Sequence, residues 1–99
     1  MPANKKLIWT LPAREDIIRL REFIEPHNPE AARRAAENLK KAALLLLENP
    51  HIGKPVERRE DRELIVPIGR RGYVIRYRVM GDEIIILRVW HGLEEKGTT

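Results

Sequence analysis

Apolar residues recur at two different periods along this chain, and the change of period separates two kinds of layer. From Tyr73 to Met80, Tyr73, Ile75, Tyr77 and Val79 alternate with Val74, Arg76 and Arg78, and beyond Gly81-Asp82 a second run, Glu83 to His91, carries Ile84, Ile85, Ile86, Leu87, Arg88, Val89 and Trp90. A period of two sends successive side chains to opposite faces of a strand, so these runs predict a hairpin with one apolar face and one face bearing guanidinium groups. Gly81 suits the positive φ of a two-residue turn. Glu63 to Ile68 predicts a further strand, bulged, frayed or at an edge where Pro67 has no N–H to donate. The turn Gly69-Arg70-Arg71-Gly72 joins it to the Tyr73 strand, and Lys6 to Thr10 predicts a short strand at the other end of the chain.

Between these strands the period lengthens to that of a helix. Thr10 as cap and Pro12 in the first turn open a helix with Ala13, Ile17, Leu20 and Ile24 on one face; Glu15 and Asp16 suit its positive N-terminal end, and it stops near Glu25, before Pro26. Asn28, Pro29 and Glu30 then start a second helix, expected to run to about Glu48, with Ala32, Ala35, Leu39, Ala42, Ala43 and Leu46 on its inner face and Asn49-Pro50 ending it. The alanines let the two helices approach closely as an antiparallel hairpin. The fold class is therefore α+β, β-α-α-β-β-β, with the helical hairpin on one face of a small, mostly antiparallel sheet and the other face uncovered. One domain spans 1–99, with a core over about 6–92 and a loose tail over 93–99.

Composition narrows the chemistry. With 99 residues there is room for one modest core, and 19 basic against 15 acidic residues give a net charge of +4. Thirteen of the basic residues are arginine, which favours bidentate contacts to carboxylate or phosphate and so an acidic partner. The absence of cysteine removes disulfides, thiolate metal sites and thiol nucleophiles, and fits a reducing cytoplasm. The longest apolar run, Ala42 to Leu47, is far short of the roughly 20 residues of a membrane span. Leu44, Leu45 and Leu47 exceed what one helical stripe can bury, and the surplus predicts a covering partner, a helix of another chain or a second copy. The loop from Lys54 to Glu63 interleaves Arg58, Arg59 and Arg62 with Glu57, Glu60 and Asp61 and reads as a self-neutralised, solvated segment. His27 and His51 fall in loops. No second histidine stands at ligand spacing to His91, so neither a metal nor a cofactor is expected.

Several segments together resemble the RelE/ParE superfamily of bacterial toxins from type II toxin-antitoxin modules. They are Trp9-Thr10 with Ala13 and the helix from Asp16 to Ile24, Leu44 to Pro55, Tyr73 to Val79, and Ile86-Leu87-Arg88-Val89-Trp90-His91-Gly92; the likeness covers about 7–92. The resemblance implies a cytoplasmic toxin that causes growth arrest, is held silent by a cognate, ParD-like antitoxin in a hetero-oligomer, and serves plasmid stabilization. The final Ile-Leu-Arg-Val-Trp-His-Gly segment is closer to the ParE branch, whose members act on DNA gyrase by binding. On that reading no residue is catalytic. Arg76, Arg78, Arg88, Trp90 and His91, with the tail from Glu94, face the target, while Leu44, Leu45 and Leu47 face the antitoxin.

The alternative is a RelE-like, ribosome-dependent mRNA endoribonuclease. Cleavage by a 2′-hydroxyl needs a base, cations for the developing phosphorane charge and an acid for the leaving oxygen. His91, Arg76 and Glu63 are the candidates, without the C-terminal tyrosine that some family nucleases carry. Each has a plainer role: His91 as a strand-end hydrogen-bonding residue, and Arg76 and Arg78 as partners of Glu83 across the hairpin. Tyr73, Tyr77 and Trp9 are expected in the core, and Trp90 as an exposed anchor.

Overall fold

The computed structural model describes residues 6–68 and 71–92. The expected Gly69-Arg70 part of the basic turn and the 93–99 tail lie outside the described residues. The chain runs β1 (Lys6–Trp9), α1 (Leu11–Ile24), α2 (Pro29–Leu45), β2 (Lys54–Pro55), β3 (Arg62–Ile68), β4 (Arg71–Met80) and β5 (Glu83–His91). One five-stranded sheet has the order β1-β5-β4-β3-β2. β1 lies parallel to β5, and every other neighbouring pair is antiparallel. The expected architecture holds, with two refinements. The loop after Pro50 was expected to be free of strands, yet Lys54 and Pro55 pair with Glu63 and Arg62 and add an edge to the sheet. Helix α2 closes at Leu45 rather than Glu48; Leu46, Leu47 and Glu48 donate to the carbonyls of Ala43, Leu44 and Leu45, so the last turn tightens before Asn49-Pro50.

Local signals account for these elements. The Thr10 hydroxyl oxygen accepts from the Ala13 N–H at 3.2 Å and the Asn28 amide oxygen Oδ1 from the Ala31 N–H at 3.0 Å, each satisfying an orphan donor of a helix N-terminus. Gly81 has φ 60°, as the Gly81-Asp82 turn requires. The inner helix faces bury Ala13, Leu20, Ala32, Ala35, Leu39, Ala43 and Leu46 against Tyr73, Ile75, Tyr77, Ile84, Ile86 and Val89 of the sheet. Tyr73 and Tyr77 are core residues, as the alternation requires. Trp9 packs at the core's margin.

Tyr77 also fastens the loop after α2. Its hydroxyl donates to the Pro50 carbonyl at 2.8 Å and accepts from the Gly53 N–H at 2.9 Å. A Cβ on Gly53 would lie 2.6 Å from that hydroxyl, so only glycine allows the approach. Tyr77→Phe keeps the ring but strands the buried Gly53 N–H and should cost about 1–3 kcal/mol. In urea unfolding the midpoint should fall at unchanged slope; an unaltered midpoint would show that the loop does not depend on this hydroxyl.

Candidate functional site

Two surfaces on opposite sides of the molecule qualify as working sites. The first is an apolar groove of about 610 Å³ where β1 meets the outer side of the helices, lined by Leu7, Trp9, Ile17, Ile18 and Leu44 with Arg14 and Lys40 among them. Leu44 is 55 % exposed and Leu45 51 %, whereas Leu47 is half-buried against the core. Of the three leucines assigned to a partner, Leu44 lines this groove, Leu45 lies exposed beyond it and Leu47 belongs to the core margin.

The second surface is the sheet face away from the helices. Directly paired residues of antiparallel strands share a face, and so register places Ile65, Val74 and Trp90 in one row across β3, β4 and β5. The next row is Glu63, Arg76 and Arg88. The register shifts between Arg76 and Tyr77, because Ile86 pairs with Tyr77 and Arg88 with Arg76; Leu87 is the extra residue of a β-bulge.

The arginines of this face do not pair with Glu83 as expected. Arg76 gives both Nε and Nη2 to Glu63 Oε2, at 3.0 and 2.6 Å, and its guanidinium lies over the Trp90 ring, 5.1 Å from the centroid. Arg78 bonds Asp61 at 2.8 Å, and Asp61, fully buried, is also held by Arg59. The 54–63 loop is therefore not idle solvated charge: Asp61 ties it to the sheet, and Arg62 donates to the carbonyls of His51 and Gly53.

Arg88 turns to the sheet edge, where Asp16 of α1 forms the most connected polar node. One Asp16 oxygen accepts from Arg88 Nε and the Val89 N–H, each at 2.8 Å, and the other from Arg88 and Arg19. Arg19 in turn donates to the Val89 carbonyl at 3.2 Å. Since β1 pairs with β5 only as far as Ile86, the side chains of Asp16 and Arg19 serve the Val89 peptide as a neighbouring strand would. The sequence signal for Asp16 is weak, because its place near a helix start suggests a dipole role instead, and Asp61 was hidden in its charged loop.

His91 pairs with Tyr73 across β4 and β5, and their rings meet edge to face at 5.0 Å. Tyr73 is 3 % exposed beneath the helices, so His91 shares the helix-side face, whereas Arg76 and Glu63 lie on the other. The three residues considered for RNA cleavage thus do not converge. Among the described residues no three of His, Asp and Glu gather as a metal site, and no helix is long and apolar enough to cross a membrane.

Two helices packed on one face of a mostly antiparallel five-stranded sheet match the folds of solved ParDE and RelBE toxins. Residues 7–95 match the family described as the ParE toxin of the type II toxin-antitoxin system parDE, and the chain belongs to that family. Toxin RelE1 of Caulobacter vibrioides is 38 % identical over 84 residues, 85 % of this chain and 89 % of that protein. The putative toxin Y4kP of Sinorhizobium fredii is 31 % identical over 93 residues, 94 % of each chain. Among solved structures, a chromosomal ParDE TA system from P. aeruginosa superposes with a TM-score of 0.73 at 27 % identity, covering 88 % of this chain and 95 % of that one. The toxin-antitoxin complex RelBE2 from Mycobacterium tuberculosis shares the fold, with a TM-score of 0.65 at 24 % identity over 88 % of this chain and 96 % of that one.

The buried carboxyls set the acid limit of the fold. Burial pushes the Asp16 carboxyl up, but hydrogen bonds from Arg88, the Val89 N–H and Arg19 outweigh it and hold the group below its ordinary 3.8. Burial likewise raises Asp61, and Arg59 and Arg78 more than reverse it. A lowered folded pKa gives stability that is complete above the unfolded value and is lost as pH falls through the folded one. Urea midpoints should stay level from neutral pH to about 5 and then fall steadily. Asp16→Asn should lose about 2 kcal/mol at neutral pH, less than for a wholly buried pair because Arg88 is half-exposed, and should show a shallower acid decline. An identical acid profile in the variant would contradict this assignment.

Proposed function

We propose that this toxin acts in the cytoplasm by binding DNA gyrase and blocking its rejoining of DNA, and that a cognate antitoxin silences it. The observation that carries this reading is the match to the ParE toxin family over nearly the whole chain. The separation of His91 from Arg76 and Glu63 by the thickness of the sheet supports a binder over a nuclease. The target-facing residues are Trp90, Arg76 and Arg78 on the uncovered face, with Arg88 at its edge. His91 acts through its packing on Tyr73. The mRNA-cleaving alternative is favoured by one observation, that relatives 38 % and 36 % identical bear the name RelE.

The groove between β1 and the helices is the antitoxin's seat on this reading. Its lining calls for the apolar stripe of an amphipathic helix, and Arg14 and Lys40 call for acidic residues beside that stripe. The solved ParDE toxin-antitoxin system supports an antitoxin as the partner.

Antitoxin-free protein added to gyrase, relaxed plasmid and ATP should abolish supercoiling and accumulate cleaved DNA at near-stoichiometric amounts. Full supercoiling, from protein that still arrests growth, would move the target to messenger RNA on the ribosome. Leu44→Glu places a carboxylate among the groove's apolar side chains and should weaken antitoxin binding by about tenfold or more, at little cost to an exposed position. Unchanged affinity in calorimetry would place the antitoxin elsewhere.

A further inference from the structure

The uncovered sheet face has a chemistry of its own. Three arginines described there are already engaged: Arg76 by Glu63, Arg78 by Asp61 and Arg88 by Asp16. Each of these guanidinium groups has part of its charge offset by its acid, so the face attracts a phosphate backbone less than its arginine content suggests. Beside them runs the apolar row Ile65, Val74 and Trp90. Ile65 is 62 % exposed. Trp90 is half-buried and has Arg76 stacked over its ring, so an aromatic anchor is held in place before any partner arrives.

Charge is unevenly placed along the face. Beside the apolar row, Glu63 and Arg76 cancel. Farther along, Asp61 is shared by Arg59 and Arg78, so those three groups carry one surplus positive charge, with both arginines partly exposed. An apolar centre with a cationic border complements a protein surface of the converse kind.

We propose that this face docks a protein partner whose contact patch has an apolar centre, set on the row Ile65–Val74–Trp90, and an acidic side chain at its rim facing Arg78 and Arg59. The arginines act as props for Trp90 and for the 54–63 loop, and the face does not bind nucleic acid. The proposal rests on the reading of the chain as a target-binding toxin and supplies the chemistry of its target-facing surface.

Two readouts on one variant test it. Ile65→Glu puts a carboxylate at the centre of the row on an exposed site; Val74→Thr serves if the first variant misfolds, judged by circular dichroism and antitoxin co-purification. In cells without antitoxin, the substitution should abolish growth arrest while antitoxin binding on the far side of the sheet is retained. In a titration with a fluorescent DNA duplex and a single-stranded RNA at physiological salt, it should leave oligonucleotide affinity unchanged, and so should Arg78→Gln. Persistent arrest by the folded variant would overturn the proposal. So would a loss of oligonucleotide affinity of about tenfold or more, since that places nucleic acid on this face. The arrest assay presumes no particular target, so arrest lost in Ile65→Glu with gyrase unaffected by the wild type would refute the gyrase reading and leave this surface standing.

Discussion

A single carboxylate, Asp16, ties helix α1 to the sheet where β1 no longer pairs with β5. β1 leaves β5 after Ile86, and the open edge beyond would present the Val89 peptide to solvent or to another chain. Asp16 accepts the Val89 N–H, Arg19 donates to its carbonyl, and Arg88 closes the arrangement from the strand itself. Helix α1 is thereby fixed against β5 by directional bonds as well as by burial of Ala13 and Leu20. A buried carboxylate is costly unless its hydrogen bonds are complete, and here four donors reach its two oxygens.

That anchorage keeps two surfaces apart, to which the proposed function gives different partners. With α1 tied down at its sheet end, its outer side and that of α2 frame the groove with β1, while the opposite face of the sheet stays clear. Each surface has an apolar centre and a cationic border, so one small domain can offer one side to an antitoxin and the other to a target. Five of the thirteen arginines that make the sequence look like a polyanion binder are held by three acids, Asp16, Asp61 and Glu63.

The sequence was most legible where local rules decide. Thr10, Asn28 and Gly81 act at the positions their chemistry suggests, and strict alternation identifies Tyr73, Ile75 and Tyr77 as core. It was least legible where partners lie far apart in the chain. Asp16 and Arg88 are 72 residues apart, and Asp61 and Arg78 are 17 apart, so no window of periodicity pairs them. The bulge at Leu87 shifts the register of β5 and defeats alternation over Arg88. His91 is a candidate for RNA cleavage only on the alternative reading of the sequence, and cross-strand register sets it against Tyr73, across the sheet from Arg76.

The most direct test of this account is amide hydrogen exchange at Val89, compared between the wild type and Asp16→Ala. An edge amide with no strand beside it should exchange readily, so protection comparable to the core strands in the wild type, falling about a hundredfold or more in the variant while Ile75 and Ile84 stay protected, is the expected result. Equal Val89 rates in the two proteins would mean that Asp16 does not close the sheet edge, and the layer-joining role assigned to it would be wrong.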